Sequence, residues 1–370
     1  MASQKLCTGC SACASVCPMG CIEMKKDREG FLQPIINKQG CMKCHKCESV
    51  CPILNQGVHT VGETKAYAAV NLDDGIRARS SSGGVFYALA KWTIEQNGVV
   101  FGARFNDHWE VIHSYSETID GIFPFMGSKY VQSTIGDSYK QVEFFLEKGR
   151  WVLFSGTPCQ INGLKSYLAK EYEYLFTVDI ICHGVPSPSV WNSYLKLFKG
   201  PHSINEISFR RKTLGWLNYS IAIETQAHIF EEKNKDNLYL QGFLKNYYLR
   251  NSCYNCKFKS YHRNSDITLA DYWGVDKLSP TMFDDKGTSI VFVHSKKGQA
   301  LMSRIHQFFK VKEESQTNAI AYNPMINNSI SPTVNRARFF RWFKISSSVR
   351  TAYLIVENTP FITKVLKRVV

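Results

Sequence analysis

Two cysteine runs constrain this chain more than anything else in it. The first is Cys7-x2-Cys10-x2-Cys13-x3-Cys17, followed by Pro18, and the second is Cys41-x2-Cys44-x2-Cys47-x3-Cys51, followed by Pro52. A loop of this spacing wraps three thiolates around one [4Fe–4S] cubane, and its fourth cysteine reaches the other cluster. The expected sets are therefore Cys7, Cys10 and Cys13 with Cys51, and Cys41, Cys44 and Cys47 with Cys17. Each proline turns the chain away and removes one amide donor. Zinc competes for paired Cys-x2-Cys, but it leaves the third and fourth cysteine of each run poorly explained. Cys21 lies outside the spacing and reads as a packing residue. Residues 1–57 are expected to form a ferredoxin-like domain with two [4Fe–4S] clusters.

Nine of the thirteen cysteines fall within residues 7–51 at these metal-ligand spacings. That pattern favours reduced thiolates over disulfides. The opening Met1–Leu6 lacks the apolar run of a secretory signal. No stretch approaches the roughly 18 apolar residues of a membrane span. The expected address is the cytoplasm. The formal charge is +14. Three oxidised cubanes, each about −2 with its four thiolates, would bring the total to about +8. A basic surface favours acidic partners such as a small ferredoxin, a nucleotide-linked substrate or an anionic membrane. No recognition motif for nucleic acid accompanies the charge.

Beyond residue 64 the pattern changes. Lys65–Leu72, Val99–Phe105, Glu110–Tyr115, Trp151–Ser155 and Tyr174–Cys182 read as strands. Ser82–Gln96, Asp137–Lys148, Gln160–Lys170 and Ser189–Phe198 read as helices. Apolar strands separated by helices of this length indicate parallel pairing. Ile204–Arg211 and Tyr219–Thr225 suggest an antiparallel portion. The expected fold class is α/β (α+β): a small two-cluster domain, then an α/β domain with a mixed sheet.

Four cysteines remain: Cys159, Cys182 and the pair Cys253-x2-Cys256. Cys159 follows a strand through Gly156-Thr157-Pro158, and Pro158 suits a first helical position. A thiolate near that helix start is favoured by the dipole. Cys182 closes the next strand. If the two strands are parallel, both cysteines lie at carboxyl ends, where open α/β sheets place ligands. Cys159 as a nucleophile, Cys182 as a buried small residue and the later pair as half a zinc site compete with a third [4Fe–4S] cluster that uses all four.

Ser80-Ser81-Ser82-Gly83-Gly84 opens a helix after a strand, where backbone amides can cradle a phosphate or simply cap the helix. Several stretches carry a family resemblance: Ser81–Val85, Gly127–Ser133, Ser155–Gln160, Asp179–Pro186, Ser252–Phe258 and Asp266–Gly274. Together, in order over roughly residues 64–300, they resemble the beta subunit of deazaflavin-coenzyme (F-420) reducing hydrogenase and dehydrogenase. That resemblance implies an iron–sulfur flavoprotein, with FAD contacts at Ser81, Ser82, Gly83, Gly84, Ser128, Lys129 and Tyr130. It divides the chain into residues 64–145 with the FAD site, residues 150–310 with the third cluster, and a basic aromatic tail over residues 311–370. Pigment reductases with ferredoxin as donor belong to the same wider family. Chains with a fused two-cluster head also resemble members among polysaccharide-biosynthesis proteins of anaerobic bacteria.

The head would let the chain take electrons directly from a ferredoxin-type donor. Clusters pass single electrons, and FAD collects two and delivers a hydride. The expected route runs from the donor through the head clusters and the third cluster to FAD and a small-molecule, sugar-linked acceptor. His183, with an ordinary pKa near 6.5, is the candidate acid. Lys129 and Asp271 are further candidates, and Arg210, Arg211 and Lys212 could hold an anionic group. Two alternatives stand beside this enzyme: a non-catalytic electron-transfer module and an F-420-linked dehydrogenase subunit. In the tail, Arg336–Lys344 interleaves four cations with four aromatic rings, and Lys364, Lys367 and Arg368 follow. Such a segment can lie peripherally on an anionic membrane or pack on the core.

Overall fold

The computed structural model describes residues 2–55, 63–198 and 204–358. The end of the expected 1–57 domain and Lys364, Lys367 and Arg368 lie outside the described residues. The head contains an antiparallel pair, β1 (Ile22–Lys26) and β2 (Leu32–Ile36), between two short helices, Ala12–Ser15 and Lys46–Ser49.

The body is built on one eight-stranded sheet. Its strands are β3 (Lys65–Asn71), β4 (Val99–Phe105), β5 (Val111–Ser116), β6 (Val152–Gly156) and β7 (Leu175–Ile180). A separate antiparallel sheet holds β8 (Ile204–Arg211), β9 (Ser220–Thr225) and β10 (Ile229–Lys233). The large sheet is completed by β11 (Ile267–Asp271), β12 (Ser289–Val293) and β13 (Phe309–Glu314). Its order is β13-β3-β12-β11-β7-β6-β4-β5. The four strands from β4 to β11 run parallel, and the outer pairings are antiparallel. The fold is thus mixed α/β.

Alternation explains how the sheet sits between two layers. Val99 and Phe101 join one core with the helices Ser138–Glu147 and Pro158–Leu168, whereas Val100 joins another with the helices Val85–Glu95 and Lys296–Ile305. Successive side chains of a strand point to opposite faces, so β4 serves both layers. Strands from the 64–145 and 150–310 stretches share this one sheet, and residues 311–314 lie within β13. The 64–145 and 150–310 stretches therefore make one structural unit, joined by pairings such as β3 with β12.

Of the two placements expected for the tail, its helix takes the one packed on the core. The helix Val334–Ser346 buries Phe339 and Phe340 against a core that includes Phe31, Trp191 and Tyr248. Phe31 and Phe340 meet edge to face at 6.2 Å, and Phe339 lies 5.1 Å from Tyr248. These rings are committed to the protein interior, so they are not available to acyl chains. No helix among the described residues is long and apolar enough to cross a membrane.

Candidate iron–sulfur centre

The parallel register Ser155↔Val178 and Gly156↔Asp179 sets the carboxyl ends of β6 and β7 side by side. Just beyond β6, Thr157 caps the helix Pro158–Leu168 in a reciprocal box with Gln160, with Pro158 in the first turn. Cys159 therefore sits in the first turn, its sulfur 3.1 Å from the Thr157 hydroxyl. Cys182 follows β7. A short 3-10 helix, Asn251–Asn255, carries Cys253, and Cys256 is fixed where its amide donates to Ser329 Oγ at 3.0 Å.

All four cysteines line one cavity, with Thr8, His183, Arg250, Lys259 and Arg263 among the other wall residues. Among the described residues no three His, Cys, Asp or Glu side chains are gathered to hold a single metal ion; the sulfurs stand around the cavity. Burial pushes the Cys159 thiol well up, and the Cys256, Cys182 and Cys253 sulfurs push it further. Cys253 is pushed up to about 12, chiefly by burial and then by Cys182. Desolvated thiolates that repel one another need a positive core between them, and the +2 core of an oxidised [4Fe–4S] cluster supplies one. The residues present fit that group.

A second cavity lies in the head, lined by Cys7, Cys10, Cys13, Cys47 and Cys51 and again by Thr8. Burial raises Cys10 to about 11 and Cys13 to about 12. Cys17, from the first run, stands with Cys41 of the second: both act on Cys21, whose sulfur is 3.4 Å from that of Cys17. Cys44 is the exposed one of the thirteen cysteines.

The two cavities are joined by groups that carry no spacing signature. Arg250 is 2% exposed. It donates to the carbonyls of Cys7 at 2.7 Å and Leu32 at 2.9 Å, and to Gln132 Oε1 at 3.2 Å. Tyr139 donates to the Gln160 carbonyl at 2.8 Å and feels the charges of both Cys10 and Cys159.

The expected flavin turn is bonded to the segments around Ser128 and Thr288. Ser81 and Ser128 hydroxyls are 2.8 Å apart, and Ser82 donates to the Thr288 carbonyl at 2.8 Å. The Gly83 amide donates to Ser289 Oγ at 2.9 Å. A side chain at Gly83 would meet the Ala69 carbonyl oxygen at 2.3 Å, so packing on the sheet already requires glycine there. Gly84 caps the following helix at φ 82°. Lys129 donates to the carbonyls of Pro124 (2.7 Å), Met126 (2.8 Å) and Gly127 (3.2 Å), and burial pulls its pKa to about 7. Tyr130 stacks on Phe243 at 4.7 Å, and Phe243 meets the His183 ring at 5.0 Å. His183 itself faces Asn246 Oδ1 at 2.7 Å, and burial lowers its pKa.

The cations expected to hold an anion have partners. Arg210 is paired with Asp271 at 2.9 and 3.2 Å, Arg211 with Glu224, and Lys212 donates to the carbonyls of Arg77, Ser82 and Lys286.

Comparison with known proteins follows the same division. Residues 6–54 match the 4Fe-4S dicluster domain, and residues 149–318 match the C-terminal region of the coenzyme F420 hydrogenase/dehydrogenase beta subunit. The coenzyme F420-dependent sulfite reductase of Methanocaldococcus jannaschii is 24% identical over 310 residues, which span 81% of this chain and 46% of the relative. The chain thus spans less than half the length of that curated relative. A chain from the F420-reducing [NiFe] hydrogenase complex of Methanosarcina barkeri is similar at 18% identity with a TM-score of 0.48, covering 79% of this chain and 91% of that one.

Proposed function

Because the chain joins a 4Fe-4S dicluster domain to a C-terminal domain of the coenzyme F420 hydrogenase/dehydrogenase beta-subunit family, we propose that it is an iron–sulfur oxidoreductase. Electrons from a ferredoxin-type donor pass through the head to a third [4Fe–4S] site held by Cys159, Cys182, Cys253 and Cys256. The observation that carries this reading is the cavity lined by those four cysteines, which shares Thr8 with the head cavity. FAD, when bound, would convert single electrons into a two-electron hydride. Its contacts at Ser81–Gly84 and Ser128–Tyr130, a sugar-linked small-molecule acceptor, a surface-polysaccharide setting and a peripheral membrane contact rest on the resemblance and composition already described. His183 on the sulfur cavity and Lys129 under the turn are the proposed acid–base pair.

The electron-transfer module is the second reading. It is favoured by the Ser81–Gly83 turn, in which the Ser81 and Ser82 hydroxyls and the Gly83 amide already have partners within the chain. Flavin release on denaturation separates the two: flavin supports the oxidoreductase, and none after reconstitution with excess FAD leaves the module. Anaerobically purified protein should hold about twelve irons, and Cys159→Ser about eight. Stoichiometric zinc without iron overturns both readings.

A further inference from the structure

The cysteine sites differ in how far their surroundings are exposed. The third site is lined by Arg250, Phe258 and Arg263, all buried. The first-run site faces the body: Cys10 is buried, and its sulfur would lie 3.1 Å from a side chain added at Gly163. The second run turns outward. Met42, Lys43, Cys44, His45 and Lys46 are all exposed, Met42 by 62%. Residues 38–49 carry Lys38, Lys43 and Lys46 against one carboxylate, Glu48, which pairs with His45 at 3.0 Å. An oxidised cluster with four thiolates holds a charge of about −2. The exposed lysines of this loop screen that charge from an approaching anion.

We propose that the Lys38–Lys46 loop is the docking face for an acidic single-electron carrier protein, making the Cys17/Cys41/Cys44/Cys47 site the first acceptor in the chain. This rests on the iron–sulfur reading above and adds the place and the polarity of the partner. In the step, the reduced carrier loses one electron, the cluster core goes from +2 to +1, and no proton or bond is exchanged. Exposed Met42 supplies an apolar contact inside the charged ring, and the lysines steer the encounter.

The probe is a reduced, acidic plant-type [2Fe–2S] ferredoxin mixed anaerobically with the iron-loaded full chain while cluster bleaching is followed. Lys43→Glu with Lys46→Glu should slow the second-order step about tenfold at low ionic strength, and the difference should vanish at high salt. The control Lys140→Glu with Lys148→Glu changes net charge equally on another exposed surface and should stay within about twofold of the unaltered protein. Equal slowing of both variants, or of neither, overturns the docking face. Carbodiimide cross-links between the unaltered protein and the carrier should map to Lys38, Lys43 or Lys46, and cross-links found solely elsewhere overturn it even if the variant loses iron. Absence of iron from the unaltered protein overturns the underlying reading instead.

Discussion

Gly163 stands where the helix Pro158–Leu168 meets the head. A methyl group there would lie 3.0 Å from Cys10 Cβ, 3.1 Å from its sulfur and 2.9 Å from the Tyr139 hydroxyl. Gly163→Ala should therefore displace Cys10, lowering stability by roughly 1–3 kcal/mol. Iron content should fall by about four per chain. Urea unfolding and an iron assay check both, and unchanged values would show that the neighbours yield. His113 offers a pH handle. Its Nε2 lies 3.1 Å from the Ser155 carbonyl, which can only accept, so Nε2 carries the hydrogen and Nδ1 has no partner. Burial first, and Lys129 after it, lower its pKa from 6.5 to about 4. Between those values the unfolded chain binds more protons than the folded one. Stability is complete above about 6.5 and is lost as pH falls toward 4, by up to roughly 3 kcal/mol. His113→Gln, which keeps a donor, should flatten that slope between pH 7 and 5. An identical slope would place the acid sensitivity elsewhere.

At the scale of elements, β6 and β7 are readable because each opens on an apolar run and is followed by a helix, and β4 because it opens on Val99-Val100-Phe101. β12 is fully buried, yet its neighbours are antiparallel, so no crossover helix announces it. β3 and β4, successive strands with a helix between them, are not neighbours, since β3 pairs with β12 and β13. In the head, spacing names the cysteines, but Arg250 leaves no pattern: its bond to Cys7 joins residues 243 positions apart. The tail helix shows what composition leaves open. Its rings split between faces, with Phe339 and Phe340 inward and Trp342 outward at 38% exposure. Val334, Arg338, Arg341 and Ile345 recur at helical spacing on the exposed side. Removing the helix would open the core, so the membrane contact is better tested by Arg338→Glu, Arg341→Glu and Trp342→Ser together. At about 1 kcal/mol per cation, sedimentation with anionic vesicles should weaken about tenfold or more. Equal sedimentation of the two proteins would end the membrane proposal.

The whole molecule is held together by a few long-range clasps between head and body. Arg250 reaches two head carbonyls, Gln132 donates to the Thr8 carbonyl at 3.4 Å, and Ser187 donates to the Glu29 carbonyl at 2.5 Å. Arg250→Met would leave buried acceptors unpaired at roughly 1–3 kcal/mol each. Hydrogen exchange should then quicken in residues 7–55 while the central strands of the large sheet keep their protection. Uniform exchange across the molecule would mean that head and body open as one unit.

The clasp between Glu29 and Arg336 spans 307 positions of the chain. At a synthesis rate of roughly 5–20 residues per second, Arg336 follows Glu29 by about 15–60 seconds. For that interval the turn between β1 and β2 that carries Glu29 has no Arg336 to pair with. The separation along the chain makes this clasp one that the head can close only after nearly all of the body has been made.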